Sequence, residues 1–328
     1  MGDVVLAAVP TPFAADGSLD LAGARRLFGF VAGVVDGLFV TGTTGEFPAL
    51  DDDERLALVE TALSVAGPDR VIAHIGAPDA YRAARLAAAA VSLGATRIAA
   101  ITPFYLAPSP AEVTSYYLRI REAAPSAGLY AYIFPERTGV TVTPSQFCEL
   151  ADKAGLAGAK FSGAAALNVA ACATARPSLR IFSGDDSDLA ATLRAAGAGI
   201  ISARSAAFPE VFAGLSAALG ADVGGRADVA SVTGRAGRAD AAGGVADGTV
   251  AARRAHVTAA VRRAHEAAAE RQAEVTAIAA LGSSIGLVKE ALRLRGFCPM
   301  AARMPAGFPD PVTAARVGEL VKYLAPAD

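Results

Sequence analysis

Short apolar runs alternate with amphipathic stretches from residue 4 to residue 202. The runs are Val4–Val9, Leu38–Thr41, Val71–Ile75, Arg97–Thr102, Leu129–Phe134, Leu156–Lys160, Leu179–Ser183 and Gly199–Ser202. Between them the spacing turns helical, with Leu56, Val59 and Leu63 on one face. Helix starts are marked too. Asp51-Asp52-Asp53-Glu54 puts acidic residues in a first turn, where the helix dipole favours them. Ser109-Pro110-Ala111-Glu112 and Thr143-Pro144-Ser145-Gln146 have the form of capping boxes with proline at the first helical position. Strands that are apolar on both faces and separated by helices predict a parallel sheet. Eight such units with short connections predict an α/β fold of the closed (β/α)8 barrel (TIM barrel) type. A Gly-x-Gly-x-x-Gly turn is missing after the first strand, which disfavours a dinucleotide-binding sheet.

Beyond Ser202 the pattern becomes helical. Phe208–Leu219 completes the eighth unit, and helices are expected near Val250–Glu274, Ile285–Arg295 and Pro311–Tyr323. The stretch 220–249 is rich in Gly, Ala, Asp and Arg and offers few large apolar residues, so it reads as a flexible insertion. The expected organisation is a barrel carrying the active site over 1–219, the insertion over 220–249, and a helical region packed on the barrel over 250–328.

Composition narrows the function. The 328 residues are 53% hydrophobic, lack Trp and carry a formal net charge of -2, which gives no electrostatic case for nucleic acid or an anionic membrane. The Arg253, Arg254, Arg262 and Arg263 group alternates with Glu266, Glu270 and Glu274 and reads as a solvated helix face. No apolar run approaches a membrane span, and Met1-Gly2-Asp3-Val4 leads into a strand without a basic n-region, so no membrane or secretory role is expected. Cys148, Cys172 and Cys298 are odd in number and widely spaced, as suits free thiols in a reducing cytoplasm. His74, His256 and His265 make no ligand pair at metal spacing, so neither a metal nor another cofactor is expected.

Candidate chemistry gathers at the carboxyl ends of the strands, where barrels of this type place their active sites. The sixth strand ends on Lys160 within Gly155–Gly163. Burying an ammonium is costly, and a desolvated lysine can act as an amine nucleophile toward a carbonyl. Gly42-Thr43-Thr44-Gly45-Glu46 follows the second strand, and its N–H groups and hydroxyls could cradle a carboxylate. Thr102-Pro103-Phe104-Tyr105 ends the fourth strand, Tyr130-Ala131-Tyr132-Ile133-Phe134-Pro135-Glu136-Arg137-Thr138-Gly139 the fifth, and Gly184-Asp185-Asp186 the seventh. Taken singly, each has an ordinary reading: a surface lysine, a strand-to-helix turn, packed tyrosines, a surface arginine, and Asp186 as the N-cap of a helix over Ser187–Ala196.

Together and in this order, these motifs resemble the dihydrodipicolinate synthase / N-acetylneuraminate lyase family of Schiff-base, pyruvate-dependent (β/α)8 lyases. The likeness runs from about Val9 to about Pro209. It implies Lys160 as the Schiff-base lysine and Tyr132 as the phenol that moves protons at the substrate. Thr44 and Tyr105 would link that phenol to solvent, the latter across a subunit interface. Thr43 and Thr44 would hold the pyruvate carboxylate, Arg137 a carboxylate on the second substrate, and Gly184 and Ile201 would line the substrate site. The resemblance thus implies pyruvate and a small aldehyde or keto-acid as substrates and a homo-oligomer, dimer or tetramer. Arg-Thr-Gly after Tyr132 favours condensation with aspartate semialdehyde, as in 4-hydroxy-tetrahydrodipicolinate synthase. The rivals are a 2-keto-3-deoxy sugar-acid aldolase or dehydratase, an N-acetylneuraminate lyase, and a non-catalytic binding barrel. Ile133 and Ala206 stand where the family usually has asparagine, Arg204 is an unexpected charge, and the 220–249 stretch is longer than usual.

Overall fold

The computed structural model describes residues 4–220, 248–282, 284–297 and 299–324. Eight parallel strands close into a barrel in sequence order: β1 Val5–Ala8, β2 Gly37–Val40, β3 Val71–His74, β4 Arg97–Ile101, β5 Gly128–Ile133, β6 Gly158–Phe161, β7 Arg180–Ser183 and β8 Gly199–Ser202, with β8 pairing back onto β1. This is the (β/α)8 fold that the strand pattern predicts. The helices of the eight units are α1 Leu21–Ala32, α2 Asp52–Ala66, α3 Ala80–Ser92, α4 Pro110–Ala123, the short α5 Pro135–Thr138, α6 Pro144–Ala154, α7 Val169–Ala175, α8 Leu189–Arg194 and α9 at 209–220. They are followed by α10 Gly248–Ala280, α11 Ile285–Leu294 and α12 Pro311–Leu324. The caps at Asp51, Ser109 and Thr143 are all reciprocal capping boxes, each closed by the residue three positions on. The expected insertion at 220–249 and Cys298 fall almost wholly or wholly outside the described residues.

Side-chain alternation along the strands sorts two sets of residues. Leu6, Ala8, Phe39, Ile72, Ala99, Ile101, Tyr130, Tyr132, Phe182 and Ile201 share one buried cluster. Register sets Tyr132 beside Lys160 and Lys160 beside Phe182 across β5, β6 and β7. Below Lys160, Gly158 makes room for an aromatic ring: a Cβ there would lie 2.7 Å from Tyr130 Cε1. Ile133, next to Tyr132, is fully buried and by alternation points to the other side of its strand.

Two compact units divide the chain. One contains the barrel strands as far as Glu210 and resumes at Ile278; the other is Val211–Ala277, in which Val211, Phe212, Leu215 and Val275 are buried. All the site residues discussed below belong to the first unit. No single helix among the described residues is long and apolar enough to cross a membrane.

Candidate active site

Lys160 is buried at the carboxyl end of β6, as its position at the end of an apolar run requires. Its Nζ lies 4.6 Å from the centroid of the Tyr132 ring and 4.9 Å from that of Phe39, so two π faces surround the amine. The other lysines are Lys153, Lys289 and Lys322, and each is ion-paired: with Glu149, Glu46 and Glu319 respectively. Lys160 has no ion pair among the described residues. Its buried amine thus has aromatic rings, and no carboxylate among the described residues, beside it.

Tyr132 is held by rings on several sides, with Phe39 edge-on at 5.9 Å, His74 at 6.0 Å and Phe134 at 6.0 Å. Its hydroxyl lies 3.3 Å from Thr43 Oγ1. Thr44, expected as the phenol's partner, is buried one residue further along the turn, and the hydroxyl that reaches Tyr132 is that of Thr43. The cause is local. β2 stops at Val40, and Thr41 takes a left-handed conformation (φ 54°), which breaks strand alternation one residue early. Its Oγ1 donates to His74 O at 2.8 Å, and that bond helps hold a conformation disfavoured by about 1–2 kcal/mol. Gly42 is needed next: a Cβ would lie 2.5 Å from the Phe39 ring. The turn closes through Glu46 N–H to Thr43 O (3.0 Å) and Thr11 Oγ1 to Gly45 O (2.7 Å).

His74 is a supporting residue that the sequence pattern does not single out. Its Nδ1 sits 2.8 Å from Thr41 O, an acceptor, while Ile101 N–H donates to its Nε2 at 3.2 Å. Together these contacts define the neutral Nδ1–H tautomer. Burial, aided by the nearby Arg55 charge, pulls the imidazole well below its ordinary range. Arg55 is itself buried and donates to His74 O at 2.8 Å and Gly76 O at 3.0 Å, and burial lowers its guanidinium to about 10. Thr41, His74 and Arg55 therefore brace the turn beneath Thr43.

Two further strand ends complete the rim. After β6, Gly163 adopts φ 61°, and Glu136 Oε1 accepts from Ala164 N at 2.7 Å, tying the loop after Lys160 to α5. Gly184, after β7, allows close approach: a Cβ would lie 2.1 Å from Ser162 Oγ. Ile201 belongs to the same buried cluster as Tyr132. Arg137, on α5, is exposed, with its guanidinium 5.7 Å from the Phe134 ring centroid.

Asp186 is not the N-cap that its sequence context suggests. Asp185 takes that role, accepting from Ser187 N at 3.0 Å, and the helix proper is Leu189–Arg194. Asp186 is buried and paired with Arg204 at 2.6 Å; burial raises its carboxyl above the ordinary value against the pull of that arginine. Arg204 also donates to Gly282 O at 2.8 Å, so the unexpected charge after β8 serves as a structural tie.

Tyr105 is the one expected catalytic residue that stands apart. It is 93% exposed, with φ 81°, on the loop after β4. There it borders a groove of about 590 Å³ with Tyr81, Phe104, Leu106 and Arg119. Among the described residues, no group of His, Cys, Asp or Glu side chains is arranged to hold a metal ion.

The sequence model of the dihydrodipicolinate synthetase family matches residues 2–233. A 4-hydroxy-tetrahydrodipicolinate synthase of Synechococcus sp. (strain CC9605) is 34% identical over 66% of this chain and 74% of its own length. A probable 2-dehydro-3-deoxy-D-pentonate aldolase, YjhH of Escherichia coli K12, is 32% identical over 64% of this chain and 72% of its own. The crystal structure of YagE, a prophage protein of the dihydrodipicolinic acid synthase family from E. coli K12 in complex with pyruvate, superposes with a TM-score of 0.77 at 25% identity, covering 98% of each chain. A buried lysine on β6, a phenol beside it on β5 and a hydroxyl turn after β2 thus occur in a chain that belongs to the dihydrodipicolinate synthetase family.

Proposed function

We propose that the chain is a Schiff-base enzyme that condenses pyruvate with aspartate semialdehyde, acting as a homo-oligomer in the cytoplasm. The observation that carries this is the Lys160–Tyr132 pair: a buried amine, with no ion pair among the described residues, in register with a phenol whose hydroxyl meets Thr43. Lys160 attacks the ketone carbon of pyruvate and water leaves, giving an imine. Electron withdrawal by the imine lets a methyl proton depart, and the resulting enamine adds to the aldehyde carbon as the aldehyde oxygen takes up a proton. Attack of water or of the semialdehyde's own amine on the regenerated imine releases the product and frees Lys160. A proton must move at each stage, and Tyr132 is the acid and base at hand, with Thr43 as its partner. Thr43 and Thr44 in the turn supply N–H groups, and Thr44 its hydroxyl, for the pyruvate carboxylate. Gly184 and Ile201 contribute wall.

Ile133 bears little on this reading, because it lies on the opposite side of its strand from Tyr132. In the homo-oligomer that the reading includes, Tyr105 would serve a neighbouring subunit's site, and its exposure on the loop after β4 supports that role.

Choice of second substrate rests on Arg137, whose guanidinium can hold a carboxylate remote from the reacting aldehyde. The rival is a 2-keto-3-deoxy sugar-acid aldolase, a reading favoured by the similarity to the pentonate aldolase. Assay of the parent with aspartate semialdehyde and with keto-deoxy sugar acids separates the two. Arg137→Ala should lower kcat/KM for aspartate semialdehyde by about tenfold to a hundredfold, the loss of one charge-assisted contact, while pyruvate imine still forms. A parent that ignores aspartate semialdehyde and cleaves keto-deoxy sugar acids would give the activity to the rival.

A further inference from the structure

We propose that Glu46 is a positioning residue, held by Lys289 and the backbone of 303–304, which fixes the turn that carries Thr43 against Tyr132. The inference rests on the Schiff-base reading above. Glu46 ends the Gly42–Glu46 turn with φ 55°, and its side chain is fully buried. The carboxylate meets one ammonium, as an ion pair, and two backbone N–H donors, all from the far end of the chain. Lys289 Nζ on α11, also fully buried, lies 2.5 Å from Oε1, and the N–H groups of Arg303 and Met304 donate to Oε2 at 2.9 and 2.8 Å.

The segment that supplies those amides is itself fastened to the rim. Lys289 Nζ donates to Ala301 O at 2.5 Å. Arg303 forks onto Glu54 with two contacts of 2.6 Å and also donates to Gly17 O and Ala49 O. Lys289 and Arg303 lie 4.7 and 4.4 Å from the centroid of the Phe13 ring. On the other side, Glu46 N–H donates to Thr43 O, and Thr43 Oγ1 meets the Tyr132 hydroxyl. A continuous path therefore runs from Lys289 through Glu46 and Thr43 to the proposed proton-moving phenol.

Stability alone is a weak reason for this arrangement. Well-packed apolar side chains commonly serve a core as well as a buried ion pair does, because both charges must be desolvated. A carboxylate gripped from three directions supplies something a packed leucine lacks, which is a fixed orientation for the backbone that bears it. One ion pair and three hydrogen bonds at Glu46 give Thr43 a single position relative to Tyr132.

The test compares two double variants, neither of which leaves a buried unpaired charge. Glu46→Gln/Lys289→Met keeps an acceptor for the Arg303 and Met304 amides, whereas Glu46→Ala/Lys289→Met removes it. Readouts are thermal unfolding, borohydride trapping of pyruvate on Lys160, the KM for pyruvate, and proton–deuterium exchange at the pyruvate methyl followed by NMR. The Ala/Met variant should remain folded and still trap pyruvate to completion, because Lys160 is carried by β6. Its methyl exchange should fall tenfold or more and its pyruvate KM should rise. The Gln/Met variant should recover most of both. Parental exchange and KM in a folded Ala/Met variant would overturn the proposal. So would equal losses of trapping, exchange and fold in both variants, which would reduce Glu46 to a folding contact. If the parent itself fails to trap pyruvate, the Schiff-base reading falls instead. The strut is then judged from crystal structures of the two variants: a Thr43–Tyr132 contact kept in the Ala/Met protein contradicts it, and one lost there but kept in the Gln/Met protein supports it.

Discussion

Replacing Tyr132 by Phe removes one oxygen and leaves the surrounding packing in place. The ring keeps its edge-on contact with Phe39, its approach to His74 and Phe134, and its face toward Lys160 Nζ. What disappears is a 3.3 Å contact with Thr43 Oγ1. In stability that is a single neutral hydrogen bond, worth about 1 kcal/mol. In catalysis the stake is larger. General acid–base assistance contributes about 10²–10⁴ in rate, or about 3–5 kcal/mol at 1.36 kcal/mol per factor of ten. The two magnitudes separate a structural from a chemical role. Tyr132→Phe should unfold within a few degrees of the parent and still accumulate the reducible pyruvate imine, given time. Its turnover and its methyl proton exchange should fall by a hundredfold or more. Methyl exchange in deuterated buffer, read by NMR without any second substrate, is the cleanest assay, since it isolates enamine formation. Exchange within about threefold of the parent would refute the assignment of the phenol as acid and base.

Two further outcomes follow from the same contacts. His74 is held neutral, with its folded value depressed below the ordinary value of about 6.5. Below that pH the unfolded chain takes up a proton that the folded chain refuses, so this group's contribution, complete above about pH 6.5, is lost at about 1.4 kcal/mol per pH unit as pH falls toward the folded value. Imidazole nitrogen NMR from neutral pH to pH 5 should show His74 keeping its Nδ1–H form, and an ordinary midpoint in the folded protein would contradict this. Gly184→Ala drives a methyl into Ser162 Oγ, to 3.0 Å from Ser162 Cβ and to 3.1 Å from Phe161 O, which should cost about 1–3 kcal/mol as overpacking. Ser162→Ala in the same chain removes the 2.1 Å contact but keeps the Cβ and Phe161 O contacts, so it should recover part of that loss in urea titrations; no recovery would place the strain in the backbone.

Much of this site can be read along the sequence, for reasons that differ from residue to residue. Each strand is a short apolar run, so Tyr132 and Lys160 can be read as lying near the ends of β5 and β6, while their common side comes from the register between the two strands. Capping boxes at Ser109 and Thr143 are local chemistry and are equally legible. The exchange of Thr43 for Thr44 is not legible, because it depends on a left-handed threonine, a conformation that residue type argues against. Asp186 looks like a cap because caps are recognised from neighbours, whereas its actual partner, Arg204, lies beyond another helix and strand. Glu46 and Lys289 are the extreme case. Nothing near either residue signals a pairing between a turn after β2 and a helix at the far end of the chain.

The central claim is that Lys160 forms a covalent imine with pyruvate. Only Lys153, Lys160, Lys289 and Lys322 are present, so the site of reaction can be decided directly. The protein is incubated with pyruvate, reduced with borohydride, digested and mapped by mass spectrometry. The account predicts one reduced three-carbon adduct, on the peptide containing Lys160, dependent on both reagents and abolished in a folded Lys160→Met variant. An adduct confined to Lys153, Lys289 or Lys322, or no pyruvate-dependent adduct in the active protein, would contradict it.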